Sequence, residues 1–154
     1  MRLCVVSDSH RRREALRLLA AEEGACDAFV HLGDLTADAE YLRELTGRPV
    51  YAVRGNCDLG SRLAAEQTLE AEGARLLLCH GHERRVKEGL YPLLLRAREA
   101  GVQAALFGHT HAPLCEWEMG ILLLNPGALR DGRYARLDIE RGMLCPSLTR
   151  LAGL

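Results

Sequence analysis

Five short fragments of this sequence carry side chains that can bind metal ions. Each combines aspartate, asparagine, cysteine or histidine with a glycine or serine, and each lies at the end of a short apolar run. The fragments are Asp8-Ser9-His10, Gly33-Asp34, Gly55-Asn56-Cys57-Asp58, Cys79-His80-Gly81-His82 and Gly108-His109-Thr110-His111. Five of the six histidines in the chain lie within them. Chance does not explain that concentration, which indicates one shared site.

The donor types in the fragments favour transition metals. Carboxylate, amide oxygen and imidazole suit Mn²⁺, Fe and Zn²⁺, whereas Ca²⁺ prefers oxygen ligands and structural zinc sites use thiolates. Seven residues are candidate ligands: Asp8, His10, Asp34, Asn56, His80, His109 and His111. That number is too large for one such ion and suits two ions that share a carboxylate. Because two metal ions about 3.5–4 Å apart are a common device for attacking a phosphate ester, the fragments predict a two-metal phosphoesterase site.

The apolar runs are predicted to be strands that bring the fragments to one edge of a sheet. Runs at 2–7, 28–32 and 50–53 alternate with helical periodicity at 11–23 and 37–45. This alternation predicts parallel strands joined by crossover helices. In open α/β sheets, ligands bind beyond the carboxyl ends of the strands, which is where the fragments fall.

The second half of the sequence has a less regular pattern. Residues 67–72 and 75–79, separated by Gly73, predict a β-hairpin, and a helix is predicted over 85–100. The short apolar segments between 113 and 149 are divided by glycine-containing turns and predict a β-meander without a helix. There is no repeat or linker, so residues 1–154 are expected to form a single domain.

Composition argues against several functions. Net charge is −1, aromatic residues make up 5% and no basic tail is present, so no specific nucleic-acid binding is expected. No apolar stretch approaches the roughly 20 residues of a membrane span, and the N-terminus lacks a signal-peptide pattern. The six cysteines are scattered without a Cys-x-x-Cys motif. We therefore expect a cytoplasmic protein that acts on a small molecule, with no membrane contact.

In their order and spacing, the five fragments resemble the motifs of the calcineurin-like metallophosphoesterases. Within that superfamily the chain is most similar to the small single-domain phosphodiesterases of bacteria and archaea, and the resemblance extends to Asn125-Pro126-Gly127. It implies an α/β fold, a four-layer α/β/β/α sandwich of two mixed β-sheets. The branch often forms homodimers or larger homo-oligomers, so self-association is implied as well.

The resemblance also implies a division of the ligands between two divalent ions. One ion is expected on Asp8, His10, Asp34 and His111, and the other on Asp34, Asn56, His80 and His109, with Asp34 bridging. The implied metal is Mn²⁺, with Fe, Zn²⁺ and Ni²⁺ as alternatives. A hydroxide activated by this dinuclear centre would attack phosphorus in line while the metals neutralise the developing charge.

Cys57 is the position where the sequence departs from the wider superfamily. Many relatives carry a histidine directly after the ligand asparagine, and that histidine assists the leaving oxygen. A thiol, with a reference pKa near 8.5, is a poorer proton donor to an alkoxide. The small phosphodiesterase branch shares the cysteine, so the predicted activity is hydrolysis of a small-molecule phosphodiester. The predicted catalytic residues are Asp34, Asn56, Cys57 and His82, with His82 supplying part of the missing acid function.

Alternative interpretations remain open at this stage. The same scaffold also serves phosphomonoesterases and nucleotide pyrophosphohydrolases, and a retromer subunit related to this branch is a binding scaffold. Arg11 and Arg12 either form a solvated first helical turn or contact a substrate phosphate. The remaining predictions are structural: a packed or supporting role for His31, orientation of the Gly55–Cys57 loop by Asp58, a surface or capping position for Asp27 and Asp38, and packing of Trp117 and Met119.

Overall fold

The structure is a computed structural model that describes residues 1–154. Its first third alternates strands and helices as the sequence predicts. The elements are β1 (Arg2–Val6), α1 (Arg13–Glu23), β2 (Ala28–His31), α2 (Thr36–Thr46) and β3 (Val50–Ala52). The three strands are parallel, in the order β1-β2-β3, because each helix returns the chain to the same end of the sheet.

The predicted hairpin is confirmed. Strands β4 (Glu66–Ala71) and β5 (Ala74–Cys79) pair antiparallel, with Ala71 opposite Ala74. The two turn residues, Glu72 and Gly73, have φ angles of 47° and 84°. Positive φ at both central positions is what a type I′ turn requires, which is why glycine stands at the second of them.

The helix predicted over 85–100 begins six residues later than expected. Residues His82–Arg84 form a 3₁₀ turn, and α3 covers only Tyr91–Ala100. Gly89 has a φ of 148°, which no helix accommodates, and Pro92 lies in the first turn of α3. Proline has no backbone N–H and is tolerated only in that first turn, so it sets the start of the helix.

The predicted β-meander is also wrong in one respect, since its strands divide between two sheets. After β6 (Ala104–Leu106), strands β7 (Leu114–Glu118) and β8 (Ile121–Asn125) form one hairpin, and β9 (Arg133–Glu140) and β10 (Met143–Arg150) form another. A 3₁₀ turn at Leu129–Asp131 separates them. Because β9 pairs with β1, the last hairpin joins the first sheet.

The strands form two mixed five-stranded sheets, in the orders β10-β9-β1-β2-β3 and β4-β5-β6-β8-β7. A large apolar cluster, including Val5, Leu78 and Leu106, fills the space between the sheets. A second cluster packs α1 and α2 on the outer face of the first sheet, and a third packs α3 on the outer face of the second. This arrangement confirms the four-layer α/β/β/α sandwich.

None of the helices has the length and apolar character needed to cross a membrane.

Candidate metal centre

The five fragments follow β1, β2, β3, β5 and β6, and most of their side chains meet at the carboxyl ends of these strands. Both sheets contribute: Asp8 and Asp34 come from the first sheet, and His80 comes from the second. The Nδ1–H of His80 donates to the carbonyl oxygen of Leu32 at 2.6 Å, and this bond joins the two sheets at the site. Asp8, Asp34 and His80 are all buried.

Asp8 is held by hydrogen bonds to one of its two carboxylate oxygens. The Oδ2 atom accepts a bond of 2.6 Å from the hydroxyl of Ser7 and one of 3.0 Å from the backbone N–H of His109. These donors come from the strand that carries Asp8 and from the loop after β6. They fix the plane of the carboxylate and leave Oδ1 directed into the site.

The free oxygen of Asp8 faces three imidazoles. Its Oδ1 lies 3.1 Å from Nε2 of His111, 3.6 Å from Nε2 of His10 and 3.8 Å from Nε2 of His80. The ring centroids of His10 and His111 are 5.5 Å apart. One carboxylate oxygen surrounded by three ring nitrogens is an arrangement that a cation stabilises.

Asp34 is oriented in the same way. Its Oδ1 accepts a 3.0 Å bond from the backbone N–H of Cys57, and its Oδ2 lies 3.2 Å from Nε2 of His80. Since His80 donates its Nδ1 proton to a carbonyl, its Nε2 is the atom that can offer a lone pair to a metal.

The residues present fit a divalent metal. Side-chain atoms of Asp8, His10 and His111 lie within 4.8 Å of one another, and so do those of Asp8, Asp34 and His80. The buried Nε2 atoms of His10 and His80 have no hydrogen-bond partner. A buried polar atom without a partner is costly, and coordination removes that cost. Imidazole and carboxylate together are a donor set for Zn²⁺, Mn²⁺ and Fe.

Protonation of the site reflects its burial and its carboxylates. Burial alone would raise the pKa of Asp34, but the neighbouring His80 imidazole outweighs it and holds that pKa well below its usual range. Burial lowers the pKa of His80, but Asp34 and Asp8 reverse this and raise it. Burial, assisted by the charge on His80, lowers the pKa of His109 to about 4. The Asp34 carboxylate is therefore ionised and favours positive charge beside it.

Two glycines allow the ligand loops to approach this closely. A Cβ atom on Gly55 would lie 2.1 Å from Oδ1 of Asp34, and one on Gly108 would lie 2.0 Å from the Ser7 hydroxyl oxygen. Either substitution would displace a carboxylate of the site. Several non-glycine residues of the loops also have left-handed backbone conformations, with φ between 45° and 70°: Asp8, His10, Asp34, His109 and His111. Strain of this kind is concentrated at functional sites.

Comparison with known proteins places the chain in a family. Residues 1–142 match the calcineurin-like phosphoesterase superfamily domain. The probable metallophosphoesterase YsnB of Bacillus subtilis is 33% identical over 139 residues, which cover 90% of this chain and 80% of that protein. The chain belongs to the calcineurin-like phosphoesterase superfamily. It is a metal-dependent phosphoesterase, since that family works with divalent metals and the Asp and His groups described above can bind them.

Solved structures share the fold of this metallophosphoesterase. A conserved protein of Streptococcus pneumoniae, a predicted phosphoesterase, has a TM-score of 0.81 at 27% identity, covering 97% of this chain and 88% of that one. An archaeal phosphodiesterase has a TM-score of 0.79 at 19% identity, covering 97% and 100% of the two chains. The similarity to the archaeal phosphodiesterase, at 19% identity, shows a shared fold only.

The remaining predicted site residues of the metallophosphoesterase lie around this cluster. The His109 ring centroid is 5.0 Å from that of His80 and 6.1 Å from that of His82, which is itself 5.5 Å from His80. Asn56 and Cys57 are exposed at the rim of the site. The side-chain N–H of Asn56 donates to the sulfur of Cys57 at 3.7 Å. The structure therefore brings the histidines and aspartates together, and the ligand role of Asn56 stays a prediction.

Asp58 organises the loop that carries Asn56 and Cys57, as its position in the sequence suggested. Its Oδ2 accepts backbone N–H bonds from Asp34 at 2.9 Å and Gly55 at 2.7 Å, and its Oδ1 accepts one from Thr36 at 2.8 Å. One buried carboxylate thus connects the β2 and β3 loops to the start of α2.

Asp38 was predicted to take a surface or capping position, and the surface position is wrong. It is buried and accepts hydrogen bonds from the Ser9 hydroxyl at 2.6 Å and from the backbone N–H of Arg11 at 2.8 Å. Ser9 in turn lies 2.9 Å from Nε2 of His31, whose Nδ1 accepts the N–H of Gly33 at 3.2 Å. Burial lowers the pKa of His31, which keeps the ring neutral as this chain of bonds requires. His31 is thus a packed residue that supports the ligand loops, as predicted.

Several residues that support the site were not identified from the sequence. Ser7 and Ser9 flank Asp8, and hydroxyls beside a ligand are a weak signal that could have been used. Arg130 contacts Nδ1 of His111 at 3.0 Å, but it lies 19 residues away and no local pattern indicates it. Asn125, which the family resemblance did include, donates to the carbonyl of Gly108 at 3.2 Å.

Four further residues were discussed in the sequence analysis. The roles of Arg11 and Arg12 were left open, and Trp117 and Met119 were predicted to pack. Arg11 is exposed, and the guanidinium of Arg12 donates to the carbonyl of Arg130 and lies 3.8 Å from Glu14. Trp117 and Met119 were expected to pack, but they are 54% and 65% exposed. Trp117 lies in β7, the outermost strand of the second sheet, and Met119 lies in the turn that follows it. No neighbouring strand of the sheet covers them there.

A large cleft of the protein lies elsewhere. It measures about 850 Å³ and is bordered by the amino ends of β1 and β2 and the turn between β9 and β10. Its lining includes Asp27, Glu72 and Asp138 but no histidine. The metal site is therefore identified by its metal-binding side chains and not by the size of a cleft.

Proposed function

We propose that this metallophosphoesterase hydrolyses small-molecule phosphodiesters with two divalent ions in its site. The observation that supports two ions is the pair of donor groups, Asp8–His10–His111 and Asp8–Asp34–His80, which share the Asp8 carboxylate. The family resemblance assigns the bridging role to Asp34. In this structure Asp8 is the residue common to both groups, and bridging by Asp34 stays a prediction.

Bound divalent ions would supply Lewis-acid stabilisation of the phosphoryl oxygens and lower the pKa of the attacking water. The residues of the chain prepare the site for this chemistry. Ser7 and the His109 N–H hold Asp8, the Cys57 N–H holds Asp34, and the Leu32 carbonyl holds His80. Each ligand thus presents one fixed atom, so little reorganisation is needed when charge develops on the phosphate.

The preference for diesters is supported by the absence of a strong proton donor at the rim. Partial desolvation and the Asp34 carboxylate raise the pKa of the Cys57 thiol, so it holds its proton more tightly. Burial and the His80 charge lower the pKa of His82, which makes that ring neutral near pH 7. Neither group readily protonates a poor leaving group, so the lowered pKa of His82 argues against the acid function predicted for it from the sequence. The site instead favours esters whose leaving oxygen carries negative charge well.

The proposed substrate is a small molecule. Net charge is −1, so the protein offers no overall electrostatic attraction for a polyanion such as a nucleic acid. The archaeal phosphodiesterase with the same fold is consistent with diester cleavage. Mn²⁺ is the proposed metal, with Zn²⁺, Fe and Ni²⁺ to be compared with it in the same assay. Cytoplasmic location and self-association stay predictions.

The test is hydrolysis of bis(p-nitrophenyl) phosphate and p-nitrophenyl phosphate by chelator-stripped protein to which Mn²⁺ is restored. We expect metal-dependent cleavage of the diester to exceed that of the monoester. Faster monoester cleavage would identify a phosphomonoesterase, and turnover of nucleotides alone would identify a pyrophosphohydrolase. Failure to bind metal, together with no turnover of either ester, would indicate a binding scaffold. Elemental analysis of the metal bound per chain tests directly whether the site holds two ions.

A further inference from the structure

Two arginines lie directly opposite each other at one end of the β9–β10 hairpin. Arg133 pairs with Arg150 in the register of the two strands, so both side chains are on the same face of the first sheet. Neither guanidinium has a carboxylate within 4.0 Å or donates a hydrogen bond to the protein. By contrast, Arg136 on the same strand contacts Glu23. Like charges that face each other across two strands are destabilising, and an anion between them would remove that cost.

The arginine pair borders a small cavity. Its volume is about 130 Å³, and it is lined by Pro113, Pro126, Arg133, Leu148, Thr149 and Arg150. No acidic residue is among them, so the charge at the cavity is positive. A space of about 10–15 Å³ is enough for one water molecule, so this cavity has room for an ion of the size of phosphate.

Arg133 is held in place along its aliphatic stem. A Cβ atom on Gly127 would lie 3.0 Å from Cβ and 3.1 Å from Cδ of Arg133, and 3.4 Å from Cδ of Pro113. The backbone N–H of Arg133 donates to the carbonyl of Ala128 at 3.2 Å. Because Gly127 has no side chain, the stem of Arg133 packs against the turn. Less side-chain freedom is therefore lost when its guanidinium binds a ligand.

The cavity lies at the same edge of the sandwich as the metal centre. Strand β9 runs antiparallel to β1, so its first residue, Arg133, lies at the carboxyl end of β1, where the chain continues to Asp8. Pro113, in the lining of the cavity, follows the candidate ligand His111 by two residues. An anion bound between the two arginines would therefore lie on the side of the protein where the substrate enters.

We propose that Arg133 and Arg150 form an anion site, separate from the metal centre, that binds an oxyanion of the size of phosphate. Two guanidinium groups on one face can each direct paired N–H groups at the oxygens of one phosphate. The oxyanion is either a second phosphate group of the substrate or free phosphate. Only the first source rests on the proposed function, since it makes the substrate a diester that carries an additional phosphate.

The test is calorimetric titration of inorganic phosphate into chelator-stripped protein, with sodium chloride of equal ionic strength as the blank. Stripping the protein keeps phosphate from binding to metal ions. Arg133→Ala and Arg150→Ala should each weaken phosphate binding about three- to tenfold, the range expected for one lost hydrogen bond, and the double variant should bind more weakly than either. Arg150→Lys should keep part of the affinity, because the charge is kept. Equal phosphate binding by the wild-type protein and the double variant would overturn the proposal.

Arg98→Ala is the matched control. Arg98 is exposed on α3 and its side chain donates only to the sulfur of Met119, at 3.9 Å, so phosphate affinity should be unchanged in this variant. Thermal unfolding with and without phosphate gives a second measurement. Phosphate should raise the melting temperature of the wild-type protein and of Arg98→Ala more than that of the double variant, because a ligand stabilises the folded state that binds it. An equal rise in all three proteins would count against the anion site.

Kinetics with Mn²⁺ restored separate the two sources of the oxyanion. The p-nitrophenyl ester of thymidine 5′-phosphate is compared with the same diester carrying a 3′-phosphate. If the substrate supplies the oxyanion, the 3′-phosphate should lower KM about three- to tenfold in the wild-type protein and not in the double variant. Equal KM values for the two esters, with phosphate binding intact, would assign the site to free phosphate. The titration needs no turnover, so a protein that cleaves no diester would contradict the proposed function and leave the anion site in place.

Discussion

The carboxylate of Asp58 accepts three backbone N–H bonds of 2.7–2.9 Å, and Asp58→Asn tests how strongly the metal loops depend on it. An asparagine keeps one acceptor oxygen and places an NH₂ group at the other position. If its oxygen receives the N–H groups of Asp34 and Gly55, its NH₂ faces the N–H of Thr36. At least one of the three donors therefore loses its partner, and the others lose a charged acceptor.

The magnitude follows from the burial of Asp58, which is only 8% exposed. Hydrogen bonds to a charged group contribute about 1.5–3 kcal/mol, so the expected loss in free energy of unfolding is about 2–3 kcal/mol. For a chain of this size each kcal/mol lowers the melting temperature by about 2–4 °C. We expect Asp58→Asn to melt about 4–12 °C below the wild-type protein in the metal-free state.

Thermal unfolding followed by circular dichroism is the assay, with Asp27→Asn as the matched control. Asp27 is exposed and accepts one backbone N–H, from Arg2 at 2.6 Å, so its replacement should change the free energy of unfolding by less than about 1 kcal/mol. Because Asp58 also holds the N–H of Asp34, Mn²⁺ affinity should fall in Asp58→Asn and not in Asp27→Asn. If both variants melt within 2 °C of the wild-type protein, the account of Asp58 given above is incorrect.

Three further predictions concern the site itself. Asp34→Asn should reduce kcat/KM for the diester by at least about 100-fold, because an ionised carboxylate 3.2 Å from His80 is lost; near-normal turnover with Mn²⁺ would contradict a ligand role. Cys57→His should raise cleavage of a phenyl phosphate ester relative to the matching nitrophenyl ester, because imidazole is the better proton donor and phenolate is the poorer leaving group; an unchanged ratio would refute the explanation from Cys57. The metal-free protein should lose stability as pH falls from 6.5 to about 4, because burial lowers the pKa of His109 to about 4 and the unfolded chain then binds the proton more readily. Urea midpoints across this range measure the loss, and His109→Gln should reduce it; equal slopes for the two proteins would exclude His109 as its source.

The sequence by itself determined the parts of this protein that depend on neighbouring residues. The β1-α1-β2-α2-β3 order was readable from hydrophobic periodicity, and the β4–β5 hairpin from the glycine at position 73. The aspartates and histidines of the site were readable because parallel strands place their carboxyl-terminal loops at one edge. The superfamily followed from these fragments and is confirmed by comparison.

Only the tertiary structure decided which distant groups hold those ligands. Asp38, which resembles a surface residue, is buried because Ser9 and the Arg11 N–H provide its hydrogen bonds. Arg130 reaches His111 because β9 pairs with β1 and returns the chain to the Asp8 loop. These contacts join residues 19 to 29 positions apart along the chain, and no periodic pattern in the sequence predicts them. The geometry of hydrogen bonds between loops, which exists only after the two sheets have packed, determines them.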